Sequence, residues 1–232
     1  MCGSPAACCG YELLLPPSSL TRRRPDCASR GNAVLDNGTH DGRGLWADGM
    51  TVIDATDVVI SGNVFRDNTD VQIVLGGCLR CTVADNTILS RDAAAFAGLL
   101  VHAWPSTSGD YAGTRITGNR IDCGAARRCG FGLGVGGAAW YESPTSGGVI
   151  TGNSIRRAQV GINVNDVSGP VDIWGNQVSE SGGSVQTPCG ARQVGGGERV
   201  GSVTPVSWTR MRWPTCRRGR RRVWILRVVC RR

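Results

Sequence analysis

Asp48 and His102 are the two residues of this chain whose types and spacing best suit proton-transfer chemistry. Both stand at the fifth place of a recurring five-residue segment, and the two segments are two repeats apart. If the segments are strands of successive layers spaced by about 4.8 Å, the two backbones lie roughly 10 Å apart. A ring-shaped substrate lying across the layers would contact both side chains. We expect His102 to act as the general base, with Asp48 as its partner.

A base that removes a proton beside a carboxylate also needs a cation, because negative charge develops in the transition state. Arg43 and Arg80 are the candidates for that role. His40 and Asp41, just before the first segment, form a second candidate acid–base pair. The ordinary alternative for the two arginines is a solvated surface position.

Asp48 and Asp70 are not expected to work together as a pair of carboxylates. The segment alignment leaves them four residues out of step on adjacent strands, which separates them by about 14 Å at ~3.3 Å per residue. A glycosidase needs its two carboxyl groups roughly 5–9.5 Å apart. The sequence therefore favours lyase- or epimerase-like chemistry over hydrolysis by this pair.

Aromatic and amide side chains near these positions suit a carbohydrate. Trp46 and Gln72 are expected on the outward face of the segments. Two insertions that follow the segments carry Trp104, Trp140 and Tyr141. Aromatic faces stack on sugar rings, while amides and carboxylates bond their hydroxyls. We expect a shallow polar groove for a sugar chain, the alternative being that the aromatic residues pack against their own loops.

A repeated motif sets the positions of all these side chains. It reads apolar, any, Gly or Asp, Asn, any, apolar, and its asparagines are Asn63, Asn86, Asn119, Asn153 and Asn176, with a weaker copy at Asn32. The five asparagines stand 23, 33, 34 and 23 residues apart, which is about one solenoid turn per repeat. Stacked in register, their amides can form an internal ladder that satisfies turn backbone. We expect these asparagines to be structural.

The five-residue segments between the asparagine motifs alternate with period two, as strands with one buried face do. They are Gly44–Asp48, Asp70–Val74, Gly98–His102, Gly132–Gly136 and Gly161–Asn165. The residues expected to point inward are Leu45 and Ala47, Val71 and Ile73, Leu99 and Val101, Leu133 and Val135, Ile162 and Val164. A 23-residue repeat with two strands and their turns leaves little room for a helix, so a leucine-rich horseshoe is disfavoured.

These two motifs together resemble the right-handed parallel β-helix of the pectin-lyase-like superfamily. The resemblance covers about residues 31–183 and implies an all-β, single-stranded parallel β-helix with about five to six coils. It also implies a protein that handles polysaccharide. The paired Asp or Arg/Lys signatures of the superfamily's pectinolytic enzymes are not found here. A non-catalytic glycan-binding or surface module therefore stands beside the enzymatic interpretation.

Charge divides the chain into three parts. The predicted β-helix domain, residues 31–186, has 10 Arg and 15 acidic residues, net −5, although the whole chain is +8. Residues 1–30 lack periodicity and are expected to be a disordered leader or the product of a wrongly chosen start. Residues 187–232 hold 12 of the 26 arginines, and are expected to be disordered or out of frame. Nucleic-acid binding by this basic tail is the weaker alternative.

Eleven cysteines are present, and four of them lie in the predicted coils as two close pairs. Cys78 and Cys81, and likewise Cys123 and Cys129, are expected to form disulfides, which implies an oxidising compartment. Free thiols and a zinc site are the alternatives. No signal peptide or membrane-spanning stretch is apparent, since no window reaches 18 apolar residues.

We therefore expect an extracellular or cell-surface β-helix acting on acidic glycans. It is expected to be monomeric, to have polysaccharide as its partner and to need neither cofactor nor metal. The catalytic residues would be His102 and Asp48, with Trp46, Gln72, Trp104, Trp140, Tyr141 and Arg43 binding substrate.

Overall fold

The chain winds through three parallel sheets and contributes one strand to each sheet in most turns. The computed structural model describes residues 27–40, 45–136, 145–165, 167–187 and 190–194. The first sheet contains β1 (Ala28–Arg30), β4 (Val59–Ser61), β7 (Thr82–Ala84), β10 (Arg115–Thr117), β13 (Val149–Thr151) and β16 (Asp172–Trp174). The second contains β2 (Ala33–Leu35), β5 (Val64–Arg66), β8 (Thr87–Leu89), β11 (Arg120–Asp122), β14 (Ser154–Arg156) and β17 (Gln177–Ser179).

The third sheet has the longest strands, and the predicted site residues that the structure describes lie in these strands or in the segments next to them. Its members are β3 (Met50–Thr56), β6 (Val71–Leu79), β9 (Ala95–Val101), β12 (Cys129–Gly136) and β15 (Val160–Asn165). An antiparallel hairpin of β18 (Gly183–Thr187) and β19 (Gly190–Val194) follows the coils. This architecture confirms the predicted all-β parallel β-helix and its five to six coils.

The predicted asparagine ladder is confirmed at the turn between the first and second sheets. Asn86 Nδ2 donates to Asn119 Oδ1 at 2.8 Å, and Asn119 Nδ2 donates to Asn153 Oδ1 at 2.9 Å. The same oxygens accept backbone N–H groups of the preceding coil. The residue before each asparagine takes a positive φ, for example 62° at Gly62 and 56° at Asp85. Only Gly, Asn or Asp tolerate this conformation readily, which explains the Gly-or-Asp position of the motif.

The core is a column of aliphatic side chains stacked from coil to coil. Fully buried members include Phe65, Ile73, Leu99, Leu133 and Ile150. Burying each such side chain stabilises the fold by about 1.5–3 kcal/mol. The core therefore fixes the register of the third sheet, and with it the positions of the side chains on its outer face.

The prediction of a first strand at residues 44–48 is wrong, because the described residues 45–48 are not in a strand. β3 begins at Met50, which pairs with Ile73, so the true register differs by three residues from the predicted alignment. Thr39 N donates to Leu45 O at 2.8 Å, and Leu45–Asp48 are not part of a strand. Leu45 is consequently 52% exposed rather than directed into the core.

The two predicted disulfides are confirmed. Cys78 is bonded to Cys81, and Cys123 to Cys129. All four side chains are buried within the core cluster. Neither free thiols nor a zinc site therefore describe these cysteines.

The first strand of the coils begins three residues before residue 31, where the β-helix domain was predicted to start. β1 lies within the segment predicted to be a disordered leader and pairs with β4. Residues 1–26 and 195–232, which include most of the predicted leader and basic tail, lie outside the described residues. In the described part of the chain, no helix has the length and apolarity needed to span a membrane.

Candidate functional site

His102 is only 3% exposed, and its ring centroid is 6.0 Å from that of Trp104. Its Nδ1 is 2.7 Å from the backbone oxygen of Gly136. Burial lowers the pKa of the imidazole, and the contact with the Gly136 oxygen partly opposes that shift. The Tyr111 hydroxyl donates to His102 O at 2.6 Å and accepts from His102 N at 3.1 Å, so the backbone here is fixed as well. The position is typical of a structural histidine.

The structure does not bring His102 and Asp48 together. Val101 and Val52 both align with Leu75, so His102 is level with Ile53 rather than with Asp48. That offset of five residues adds about 16 Å along the strand direction to the separation of two coils. One sugar ring cannot contact both side chains, and the predicted pairing is wrong in its geometry.

Gln72 was expected to contact substrate, but it is completely buried. Its Oε1 accepts from Asn68 Nδ2 at 2.7 Å, and its Nε2 donates to Asn68 O at 2.8 Å and Ser90 Oγ at 3.3 Å. These bonds satisfy the polar groups of Asn68 in the turn before β6. Gln72 is therefore part of the scaffold.

Trp104 belongs to a small apolar cluster on the outer face of the third sheet. A Cβ at Gly76 would lie 2.3 Å from the Trp104 ring, so only glycine admits the indole there. Val74 and Leu100, which the sequence alignment placed on a polar outward face, are buried in the same cluster. Phe96 and Phe131 pack edge to face beside them, with ring centroids 5.2 Å apart. The predicted polar groove is therefore not found along this part of the sheet.

Asp48 and Asp70, which the sequence alignment separated, are neighbours. Asp70 N donates to Ala47 O at 3.1 Å, and Asp48 Oδ1 accepts from Val71 N at 3.1 Å. The two aspartates are thus one coil and one residue apart, with backbones about 6 Å from each other. The predicted separation of 14 Å is wrong because it rested on the misplaced first strand.

The two carboxyl groups differ in their hydrogen bonding. Asp48 Oδ2 accepts from Thr51 Oγ1 at 2.7 Å, in addition to the bond from Val71. No donor among the described residues is bonded to the Asp70 carboxyl oxygens, although its side chain is partly buried.

Both carboxyl groups hold their protons more tightly than usual. Burial raises the pKa of Asp48, and its hydrogen bonds to Thr51 and Val71 oppose that shift. Burial, and after it the charge of Asp48, raise the pKa of Asp70 from 3.8 to about 6, while His40 acts in the opposite sense. A carboxyl group with this pKa exchanges protons near neutrality, as general acids and bases must.

His40 and Trp46 complete a mixed cluster around the two carboxyl groups. The rings of His40 and Trp46 are 5.5 Å apart, and His40 Nε2 is 2.7 Å from Ala94 O. The His40 side chain is exposed and Trp46 is partly buried. Trp46 Nε1 is buried and has no hydrogen-bond partner among the described residues. We call His40, Trp46, Asp48 and Asp70 the Asp70 cluster.

The remaining predicted residues do not join this cluster. Arg80 is exposed and forms an ion pair with Asp57 at 2.7 Å, which occupies the guanidinium expected to neutralise a transition state. Arg43, Asp41, Trp140 and Tyr141 lie outside the described residues.

Of the Asp70 cluster, the sequence interpretation named Trp46, Asp48 and His40 but excluded Asp70. The signal that would have included it is the alternation of Met50, Thr51 and Val52, which matches a strand better than the residues before Gly49. Aligning that strand with Ile73 brings the two aspartates together. The error came from extending the repeat through a loop.

The sequence profile of a family described as periplasmic copper-binding protein (NosD) matches residues 26–187, more than half of the chain. The chain belongs to the NosD family. That family has the right-handed parallel β-helix of the pectin-lyase-like fold, which agrees with the three parallel sheets. No curated protein and no solved structure matches the chain.

The described residues of this NosD-family chain do not fit a copper ion. Copper is held by imidazole, thiolate and thioether groups. The four cysteines of the coils are consumed in disulfides. His102 is buried against Gly136 and lies far along the sheet from His40. Within the described ranges, no three His, Cys, Asp or Glu residues are grouped so that they could hold a metal ion.

Proposed function

We propose that this NosD-family protein binds polysaccharide at the Asp70 cluster, outside the cytoplasm. The family description places its members in the periplasm, and the two disulfides agree with an oxidising compartment. Membership of this family supports the location outside the cytoplasm. Glycan binding at the Asp70 cluster is our proposal for what the protein does there.

The observation that carries the proposal is an indole ring packed against an imidazole that acts electrostatically on Asp70, a partly buried carboxyl group one coil away from Asp48. Trp46 can stack on one face of a sugar ring, while the Asp70 carboxylate accepts bonds from its hydroxyls. Trp46 Nε1 is a further donor without a partner in the described structure. Buried polar groups normally find partners, so a bound ligand hydroxyl offers a reason for this one.

A matched pair of tryptophan variants tests this function. Trp46→Ala should abolish binding of short oligosaccharides, measured by calorimetry or intrinsic fluorescence. Trp174→Ala removes an indole that is 55% exposed on the first sheet, and it should leave binding unchanged. Equal losses in both variants, or no loss in Trp46→Ala, would exclude the Asp70 cluster as the glycan site.

A second candidate function is lyase- or epimerase-like catalysis on the bound glycan. It is favoured by the pKa of about 6 at Asp70, since a base poised near the working pH is efficient. Asp70 replaces His102 as the proposed base, because His102 is buried. Product formation from a glycan that binds, lost in Asp70→Asn, would support catalysis. Binding without turnover at any pH would leave the protein a glycan-binding module.

A further inference from the structure

The Asp70 cluster has an excess of negative charge. Two carboxyl groups face one imidazole, and Asp48 and His40 are the charged groups of the described residues that act on Asp70. No arginine in the described structure forms an ion pair with either aspartate. A ligand in this cluster therefore meets an anionic surface.

The negative charge of the Asp70 cluster determines which kinds of sugar unit it can bind. A uronic acid would bring a third carboxylate to the pair, and like charges at this range repel. A neutral sugar would leave the paired carboxylates uncompensated. A protonated amine has three N–H donors and a positive charge, so it can bond the Asp70 oxygens and a remaining lone pair of Asp48.

Trp46 adds a second and independent preference for a cation. An ammonium group beside the face of an indole is attracted by the negative charge of the ring face. Trp46 is partly buried next to His40, so the ring is held in place and not free to turn away. The carboxylates and the indole thus favour the same ligand chemistry.

Resting on the proposed glycan binding, we infer that the Asp70 cluster recognises sugar units that carry a protonated amine. The expected acidic substrate is thereby replaced by a cationic one, and the lyase- or epimerase-like reaction, which needs a uronate and a cation to stabilise its charge, is not retained with it. The mildly acidic coils, net −5 over residues 31–186, favour the approach of such a polymer.

Titration of the cluster gives the inference a distinctive pH dependence. Protonation of Asp70 removes the charge that attracts the amine, so affinity should fall as the pH drops through about 6. A uronate ligand would behave in the opposite way, because protonation would relieve its repulsion. The sign of the pH dependence therefore distinguishes the two ligand classes.

The experiment compares three oligosaccharides of equal length by calorimetry at low salt: glucosamine, N-acetylglucosamine and galacturonate oligomers. At about pH 6.5 the amine-bearing oligomer should bind about tenfold or more tightly than the acetylated one, as expected for one or two charge-assisted bonds. Asp70→Asn should remove that preference. Asp172→Asn, which removes one exposed carboxylate from β16, should keep it. Circular dichroism would verify that both variants keep the β-rich fold.

The possible outcomes distinguish a failure of the amine inference from a failure of the proposed glycan binding. Equal affinity for the amine and acetylated oligomers, or a preference for galacturonate, overturns the amine inference and leaves glycan binding in place. Binding of none of the three overturns both. A trimethylammonium-bearing glucosamine oligomer, whose charge is independent of pH, should still bind more weakly at about pH 5 than at about pH 7.5 if Asp70 carries the recognition.

Discussion

Asp70 is the residue on which the functional account depends. A carboxyl group whose pKa is raised in the folded state opposes folding when it is ionised, because the unfolded chain hydrates the charge better. The pKa of about 6 compares with an ordinary value of 3.8. The folded protein therefore binds this proton more tightly than the unfolded chain does, and stability falls as the pH rises from about 4 to about 6.

Replacing Asp70 by Asn should consequently stabilise the protein at neutral pH. After a discount for the partial exposure of the side chain, the expected gain in the free energy of unfolding is about 1 kcal/mol at pH 7.5. The gain should vanish below about pH 4, where the native carboxyl is protonated in both states. Urea unfolding across this pH range measures it. Destabilisation at pH 7.5 would show that Asp70 is a structural residue.

Gln72 should behave in the opposite way, since the structure makes it a scaffold residue. Gln72→Ala removes bonds to Asn68 and Ser90 in a fully buried turn. The expected loss of stability is about 2–4 kcal/mol, from unsatisfied partners and a small cavity. Glycan affinity of the folded fraction should stay the same. A stable variant with weakened binding would restore the substrate-binding role first predicted for it.

At the scale of elements, the asparagine ladder holds the coils in register. Asn119 is wholly buried, accepts from Asn86 and donates to Asn153. Asn176 accepts from Asn153, but its own Nδ2 donates only to backbone oxygens. Asn119 is thus bonded to an asparagine on each side. Asn176, the last of the ladder, is bonded to an asparagine on one side, Asn153.

Asn119→Ala should therefore destabilise the protein more than Asn176→Ala. We expect a loss of about 3 kcal/mol at Asn119, where several buried groups lose partners, and about 1 kcal/mol at Asn176. Thermal or urea unfolding of the two variants checks the order. Equal effects would mean that the ladder does not propagate along the coils.

The repeat motifs predicted the elements well wherever the chain is regular. The asparagine motif appears at six coils because its glycine and asparagine requirements are local and strict. The third sheet is less predictable, since a loop of variable length precedes each of its strands. The first strand of this sheet begins at Met50, three residues out of register with the predicted alignment, so the predicted positions of Asp48 and Trp46 were wrong as well. The burial of His102 and Gln72 depends on residues of other coils, so it could not be predicted from the sequence around each residue.

At the scale of the whole molecule, the residues that hold the solenoid together are different from those of the candidate site. The core and ladder repeat in every coil, whereas the Asp70 cluster lies at the loop before β3 and the start of β6. Binding residues carried on loops of a rigid scaffold are a common arrangement. The family description names copper, but the donor groups of the described coils do not converge on a metal ion.

The two disulfides agree with an oxidising compartment, and they should also stabilise the fold. Replacing Cys123 and Cys129 together by Ser should lower stability by about 2–3 kcal/mol, as expected for closing a short loop. Reducing conditions, which also break the Cys78–Cys81 bond, should cause a larger loss in the wild-type protein. If neither treatment changes the unfolding midpoint, the bond contributes nothing to the fold.

The most direct test of the central claim is a glycan titration followed by the indole N–H resonances of the protein, with Trp46 assigned by its Phe variant. Glucosamine oligosaccharide should shift the Trp46 resonance in a saturable way and leave the Trp174 resonance unchanged. A saturable shift of Trp104 or Trp174 without any shift of Trp46 would contradict the account, and would place glycan binding elsewhere on the β-helix.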